Sequence, residues 1–248
     1  MEFKLIGCDV LTREVCYCIA RCPHAVSPVF LPKGEHNVPE RLRERLQAEV
    51  DAVAAGEVAY DAVLLGYGLC GNATLGLTAR TCPLVIPRAH DCTTLFLGSK
   101  AAFIEHFGDN PSQCWASVGY SERGDSILSD ASTREHLAGA GSYEALAEQY
   151  GEENARYLMD ALSTQHGSNE IVLLDVPETR VPEVLERIRR EAEATGLQVR
   201  TLTGSIRLIE KLLSGDWPSG EFLVVPPGQR VAGVYDMDQV ITAEPASD

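Results

Sequence analysis

The stretch Ala62-Val63-Leu64-Leu65-Gly66-Tyr67-Gly68-Leu69-Cys70-Gly71 joins a short apolar run to a glycine-rich loop. A continuous apolar run that ends in glycine is typical of a strand buried on both faces of a parallel sheet. Similar runs at residues 3–8, 25–31 and 83–87 alternate with helical patterns. This alternation predicts an α/β fold in which helices cover a parallel sheet.

The second half of the chain repeats the pattern. Apolar runs at 171–176, 197–202 and 221–226 predict strands, with helical patterns between them. We therefore predict two Rossmann-like lobes with parallel sheets covered by helices, and one continuous sheet is the alternative. The predicted boundaries are 1–120 for the first lobe, 121–165 for a helical connector, 166–236 for the second α/β lobe and 237–248 for a flexible tail.

The composition excludes several classes of protein. The chain of 248 residues has 21 Lys and Arg against 36 Asp and Glu, a net charge of −15. Such acidity argues against a nucleic-acid partner, which needs clustered basic residues. The sequence shows no signal peptide and no run near the ~20 apolar residues of a membrane span. We predict a cytoplasmic protein without a membrane partner that acts on a small-molecule substrate.

The eight cysteines all precede residue 115. Cytoplasmic thiols stay reduced, so a cysteine-rich chain of this length indicates metal binding or catalysis more than disulfides. The cysteines are Cys8, Cys16, Cys18, Cys22, Cys70, Cys82, Cys92 and Cys114.

Possible metal ligands follow the predicted strands of the first lobe. Ligands of open parallel sheets bind beyond the carboxyl ends of the strands. Three thiolates and an imidazole would satisfy a tetrahedral zinc ion or hold an iron–sulfur cluster. The predicted metal ligands, with zinc and the cluster left open, are Cys8, His36, Cys70, His90 and Cys92. A metal-free reactive thiol and purely structural residues are the alternatives.

The loop from Gly66 to Gly71 matches the G-x-G-x-x-G pattern of dinucleotide-binding proteins. Its position after the third strand, and a cysteine where pyrophosphate would approach, argue against NAD or FAD. We instead predict that Gly68 and Gly71 belong to a loop that binds a different cofactor, the metal centre. The two glycines would let the backbone turn sharply and bring Cys70 to a helix N-terminus. That position would lower the pKa of its thiol.

Arg88 and Asp91 flank His90 and are the predicted catalytic residues. An arginine at a cleft rim receives anionic groups, and a carboxylate beside a ligating imidazole fixes its tautomer. The alternative to these roles is that Arg88 and Asp91 form only a surface ion pair.

Cys18 and Cys22 are interpreted as residues that pack in the core.

Several strings resemble the DUF1638 family of bacteria and archaea. They are Leu64 to Asn72, Ile86 to Ser99, Leu31 to Asn37 and Ile6 to Cys8. The family pattern contains the six residues Cys8, His36, Cys70, His90, Asp91 and Cys92. It does not call for the other five cysteines. Members tend to be associated with corrinoid-dependent methyltransferase systems, so the resemblance implies a setting in one-carbon metabolism.

Together these observations predict a metalloprotein, leaning towards an enzyme of small-molecule methyl or one-carbon transfer. A corrinoid would enter only through a partner protein or methyltransferase. One alternative is a non-catalytic accessory protein that delivers a metal or corrinoid to such a methyltransferase. Another is a metal-free enzyme in which Cys70 is the nucleophile and His90 its base.

Overall fold

A computed structural model of the chain describes residues 1–34, 38–111, 113–123, 170–234 and 239–246. These residues form two compact units that interleave along the sequence. The first unit comprises Met1–His106, Val176–Thr179 and Thr203–Asp248, and the second comprises Phe107–Asp175 and Arg180–Leu202.

The described strands and helices alternate in the first hundred residues, as an α/β fold requires. In chain order the elements are β1 (Glu2–Cys8), α1 (Thr12–Ile19), β2 (Ala25–Leu31), α2 (Pro39–Ala55), β3 (Ala62–Gly66), β4 (Leu84–Pro87), α3 (Cys92–Leu97), α4 (Lys100–Phe107), β5 (Trp115–Ser117), α5 (Val118–Glu122), β6 (Glu170–Asp175), α6 (Pro182–Ala194), β7 (Gln198–Thr203), α7 (Arg207–Ser214), β8 (Phe222–Val225), β9 (Gln229–Gly233) and β10 (Ile241–Pro245).

The first unit is built on a five-stranded sheet with the order β2-β1-β3-β4-β8. The first four strands are parallel, and β8 joins β4 in the antiparallel sense. The chain runs from β1 to β2 on one side and then returns to β3 on the other side. The strand order therefore reverses between β1 and β3, the position where open α/β sheets bind ligands.

Burial explains why these segments form the sheet. Every residue of β3 and β4 is buried, so their apolar runs face helices or other strands on both sides. Helix α2 packs on β1 through the buried stripe Leu42, Leu46 and Val50. Strand β2 lies at the sheet edge, where Pro28 has no need to donate a ladder hydrogen bond.

Strands β9 and β10 pair antiparallel and hold part of the long loop between β3 and β4. The Gly76 amide donates to the Val231 carbonyl at 2.8 Å, and the Val231 amide donates to the Leu77 carbonyl at 2.9 Å. The loop that follows Cys70 is therefore tied to this strand pair by backbone hydrogen bonds.

The second unit has its own sheet, in the order β5-β6-β7, with β5 parallel to β6. Helix α5 packs against α6. Ala116, Ile171 and Leu173 of the sheet form a core with Leu185 and Ile188 of α6. This unit contains no predicted site residue.

The structure confirms the α/β class with parallel sheets and helices. It divides the chain differently from the predicted boundaries, because β8 pairs with β4 instead of with the strands near residue 170. Residues 241–245, placed in the predicted tail, form β10. Most of the predicted connector, residues 124–165, lies outside the described residues. Within the described ranges, no helix is long and apolar enough to cross a membrane.

Candidate thiol site

Cys8 is the last residue of β1 and lies at the reversal of strand order. Its side chain is only 1% exposed. The thiol lies 4.0 Å from Oδ1 of Asp9, which also accepts a hydrogen bond from the Lys33 amide at 2.9 Å. The end of β1 is thus connected to the segment that follows β2.

The loop after β3 carries Cys70 in an unusual backbone conformation. Cys70, Gly71 and Asn72 have φ angles of 46°, 65° and 70°. Three successive residues in the left-handed region turn the chain sharply, a conformation that costs energy outside glycine. Arg43 supports the turn by donating from Nη2 to the Asn72 carbonyl at 3.0 Å.

Two backbone hydrogen bonds join this loop to the loop after β4. The Leu69 amide donates to the Ala89 carbonyl at 2.8 Å, and the Cys70 amide donates to the His90 carbonyl at 2.9 Å. Gly68 makes the approach possible, because a Cβ there would lie 2.7 Å from both the Ala89 oxygen and the Asp91 nitrogen. The predicted role of Gly68 toward a cofactor is untested, and its contacts show a packing role.

Cys92 is the first residue of α3, and Asp91 is the N-cap of that helix. Oδ1 of Asp91 accepts a hydrogen bond from the Thr93 amide at 2.9 Å. The cap fixes the first turn of α3 and with it the buried Cys92 side chain.

The three thiols at this end of the sheet all have a raised pKa. Burial is the largest cause of their shifts, and it raises the pKa of Cys8 to about 12. The pKa of Cys70 is raised by burial, then by the Asp91 charge and by Cys8. The pKa of Cys92 is raised by burial, then by Asp91, Cys70 and Cys8. Cys8, Cys70 and Cys92 therefore lie within electrostatic range of one another at the carboxyl end of the sheet, and their role as metal ligands stays a prediction.

Tyr67 is a member of this site that the sequence analysis did not single out. Its side chain is 1% exposed. Burial raises the pKa of its phenol, and the charges of Cys8, Cys70, Asp9 and Cys92 raise it further. The phenol is therefore within electrostatic range of all three thiols and stays protonated. The sequence does contain a sign of this position, because Tyr67 lies between Gly66 and Gly68 in the glycine-rich loop that leads to Cys70.

Of the two predicted ligand histidines, the structure describes His90. The His90 ring packs beside the Phe103 ring, with centroids 5.8 Å apart. Its buried Nε2 has no hydrogen-bond partner among the residues that the structure describes. His36 lies outside the described residues. Across the described ranges, no three His, Cys, Asp or Glu side chains are already arranged to hold a metal ion.

The environment of Cys70 differs from the predicted one. Residues 71–76 form turns, and no helix lies between β3 and β4, a segment that the structure describes throughout. Without a helix N-terminus, burial and the Asp91 charge dominate, so the pKa of Cys70 is raised and not lowered. The missing helix also removes the structural context of a dinucleotide-binding loop. Gly71 supplies one of the left-handed turn conformations.

Arg88 makes structural contacts that the sequence did not predict. Its Nε donates to the Ser219 carbonyl at 2.7 Å, and its Nη1 donates to the carbonyls of Gln239, at 2.6 Å, and Ile241. These bonds fasten the turn before β8 and the start of β10 to the end of β4. A role of Arg88 toward an anionic substrate stays a prediction.

The comparison with known families adds to this geometry. Residues 30–213 match the family described as a protein of unknown function, DUF1638. The chain belongs to the DUF1638 family. The DUF1638 match includes Cys70, His90 and Cys92, whereas Cys8 precedes the matched residues. No curated protein and no solved structure matches the chain.

Proposed function

We propose that this DUF1638 protein binds a thiophilic metal centre, zinc or an iron–sulfur cluster, through Cys8, Cys70 and Cys92. The observation that carries the proposal is the placement of three buried thiols: Cys8 ends β1, Cys70 lies in the loop after β3, and Cys92 begins the helix after β4. The loops that hold Cys70 and Cys92 are joined by backbone hydrogen bonds. Thiolate ligands are the donors that zinc and iron–sulfur centres take in proteins.

The raised pKa values favour a metal centre over a metal-free cysteine nucleophile. The thiolate is the reactive form of cysteine, and burial keeps these thiols protonated near neutral pH. The His90 ring, the predicted base, is packed beside Phe103. A bound cation reverses this balance, because its charge stabilises the thiolates that burial and mutual repulsion disfavour.

Metal binding at this site involves movement and proton release. The described residues hold no preassembled group of three ligands, so the three thiols would draw together as their protons leave. Their donor chemistry fits a thiophilic metal. The fourth ligand would come from His36, His90 or the substrate.

The residues around the thiols have separate tasks in this proposal. Asp91 holds the first turn of α3, and with it Cys92, in place. Tyr67 provides a protonated phenol that donates a hydrogen bond to a thiolate or to a substrate oxygen. When bound with an open position, the metal would lower the pKa of a substrate thiol or water. With the family resemblance, this chemistry supports an enzyme of small-molecule methyl or one-carbon transfer.

The proposal is tested on protein purified without oxygen, by elemental analysis and by its visible absorption spectrum. We expect zinc with no visible absorbance, or iron and sulfide with the broad absorbance of a cluster. Cys8→Ser, Cys70→Ser and Cys92→Ser should each lower the metal content, whereas Cys16→Ser and Cys82→Ser should not. Equal metal content in all five variants would overturn the proposal. Turnover assays with methyl donors then test the enzymatic part.

A further inference from the structure

A second pair of thiols lies apart from Cys8, Cys70 and Cys92. Cys18 is 3% exposed and belongs to α1, and the partly exposed Cys22 follows that helix. Both side chains line a cavity of about 170 Å³ together with Glu210 of α7. The proposed metal centre uses none of these residues.

The backbone between the two cysteines forms a tight turn. The Arg21 amide donates to the Cys18 carbonyl at 3.1 Å, and the Cys22 amide donates to the Ile19 carbonyl at 3.1 Å. These bonds join residues three apart and tighten the chain into a 3₁₀-type turn beyond the end of α1. The turn leaves Cys18 and Cys22 in the lining of the same cavity, within electrostatic range of each other.

Two helix ends give the cavity a negative potential. The carboxyl end of α1 lies at Cys18 and Cys22, and the carboxyl end of α7 contributes Leu213 and Ser214 to the lining. The Cys22 thiol donates to the Leu213 carbonyl at 3.3 Å, which shows that this carbonyl faces the cavity. Helix carboxyl ends carry partial negative charge and favour cations.

The charged side chains act in the same direction. Burial raises the pKa of Cys18 to about 12, with further contributions from Glu210, Glu14, Glu178 and Cys22. Arg21 is the basic residue of the lining, and its guanidinium lies over the Tyr17 ring at 5.4 Å. A cation in the cavity would stabilise the thiolates, and the negative charges of these carboxylates would attract it.

We propose that Cys18 and Cys22 form a second site, a two-thiolate clamp for a divalent thiophilic cation such as Zn²⁺. The two thiols release two protons, and the two thiolates balance the charge of the cation. Because no third ligand is preassembled among the described residues, water completes the coordination. Thiolate ligands select soft and borderline cations over Mg²⁺ or Ca²⁺.

The test is a titration of the reduced, metal-free protein with Cd²⁺, followed by thiolate-to-cadmium charge-transfer absorbance. We expect Cys18→Ser/Cys22→Ser to bind one equivalent fewer than the unmodified protein. Cys16→Ser, on the same helix, should bind the full number. Equal stoichiometry in the double variant would overturn the proposal. A protein without a centre at Cys8, Cys70 and Cys92 would still lose this equivalent, so the two proposals fail separately.

A second measurement uses the unmodified protein and does not depend on the folding of a variant. Cys22 is partly exposed and Cys16 is exposed, so iodoacetamide reaches both. Cd²⁺ should slow alkylation of Cys22 at least tenfold, as read by peptide mass spectrometry, and leave the rate at Cys16 unchanged. An unchanged rate at Cys22 would contradict the clamp.

Discussion

The Cys70 amide donates a hydrogen bond to the His90 carbonyl at 2.9 Å, and this bond joins the loops that follow two neighbouring strands. The loop between β3 and Cys70 passes so close to residues 89–91 that a side chain at position 68 would collide with the backbone there. The thiol of Cys70 is therefore positioned by backbone contacts between two loops. Changes at this junction should affect metal binding as well as stability.

Gly68→Ala tests the junction. The new methyl group would lie 2.7 Å from two backbone atoms, so the loops must separate. Overpacking of this kind costs about 1–3 kcal/mol, and we expect such a loss of unfolding free energy together with weaker metal binding. Gly220→Ala is the control, since a Cβ there meets nothing within 4 Å. Denaturant unfolding and metal titration measure both effects, and an unaffected Gly68→Ala protein would contradict the interpretation.

Asp91→Asn separates the charge of this residue from its capping role. Asparagine also caps helices well, so the variant should fold. Burial raises the pKa of Asp91 above its ordinary value of 3.8. A raised carboxyl pKa gives stability that is present in acid and is lost as pH rises from 3.8 through the folded value. Relative to the variant, the unmodified protein should lose stability over that window in denaturant unfolding. If the difference in unfolding free energy between the two proteins did not change with pH, the raised pKa of Asp91 would be contradicted.

Asp91→Ala is the companion variant, because it removes both charge and cap. The loss of an N-cap costs about 1 kcal/mol, and we expect this variant to be less stable than Asp91→Asn by that amount.

Tyr67→Phe tests the contribution of the phenol near the thiols. The ring keeps its packing, while the hydroxyl that would donate to a bound thiolate is lost. Groups that support metal ligands typically change affinity by about 10–100-fold, and we expect a decrease within this range. Competition with a coloured chelator measures the affinity. Tyr60→Phe, at a partly buried position just before β3, is the control. Equal affinity in both variants would assign Tyr67 to packing alone.

Metal affinity should depend steeply on pH. The three thiols stay protonated near neutral pH because burial raises each pKa. Each bound thiolate requires loss of one proton, so affinity should rise with pH, by up to about a thousandfold per unit for three thiols. Titrations between mildly acidic and mildly alkaline pH, with protons counted in weak buffer, test this. Affinity independent of pH would exclude three thiol ligands.

The strand ends could be read from the sequence because apolar runs bounded by glycine and proline mark short buried strands. Cys8 ends one of those runs, and Cys70 and Cys92 lie in or after the loops that follow two others. Parallel pairing then brings all three to the same edge of the sheet. The edge position of β2 followed from Pro28 alone. These inferences needed only local pattern and the geometry of parallel sheets.

Other features depend on contacts between distant residues and could not be read locally. In the sequence, Phe222 to Val225 has the apolar pattern of any buried strand. Its antiparallel pairing with β4 depends on residues more than 130 positions earlier, which the local pattern does not show. The turns after Gly71 are held by β9, about 155 residues later. Arg88 lies two residues before His90 in the sequence, yet its Nε and Nη1 donate to the distant carbonyls of Ser219, Gln239 and Ile241.

The most direct test of the central claim is X-ray absorption on anaerobically purified Cys18→Ser/Cys22→Ser protein, at the edge of the zinc or iron that it contains. This variant lacks the second pair of thiols, so the spectrum reports the centre at Cys8, Cys70 and Cys92. If the metal is zinc, we expect a shell of three sulfur neighbours at about 2.3 Å. If it is iron, we expect a shell of thiolate and sulfide sulfur with iron neighbours beyond it. Absence of both metals, or a shell of nitrogen and oxygen alone, would contradict the account.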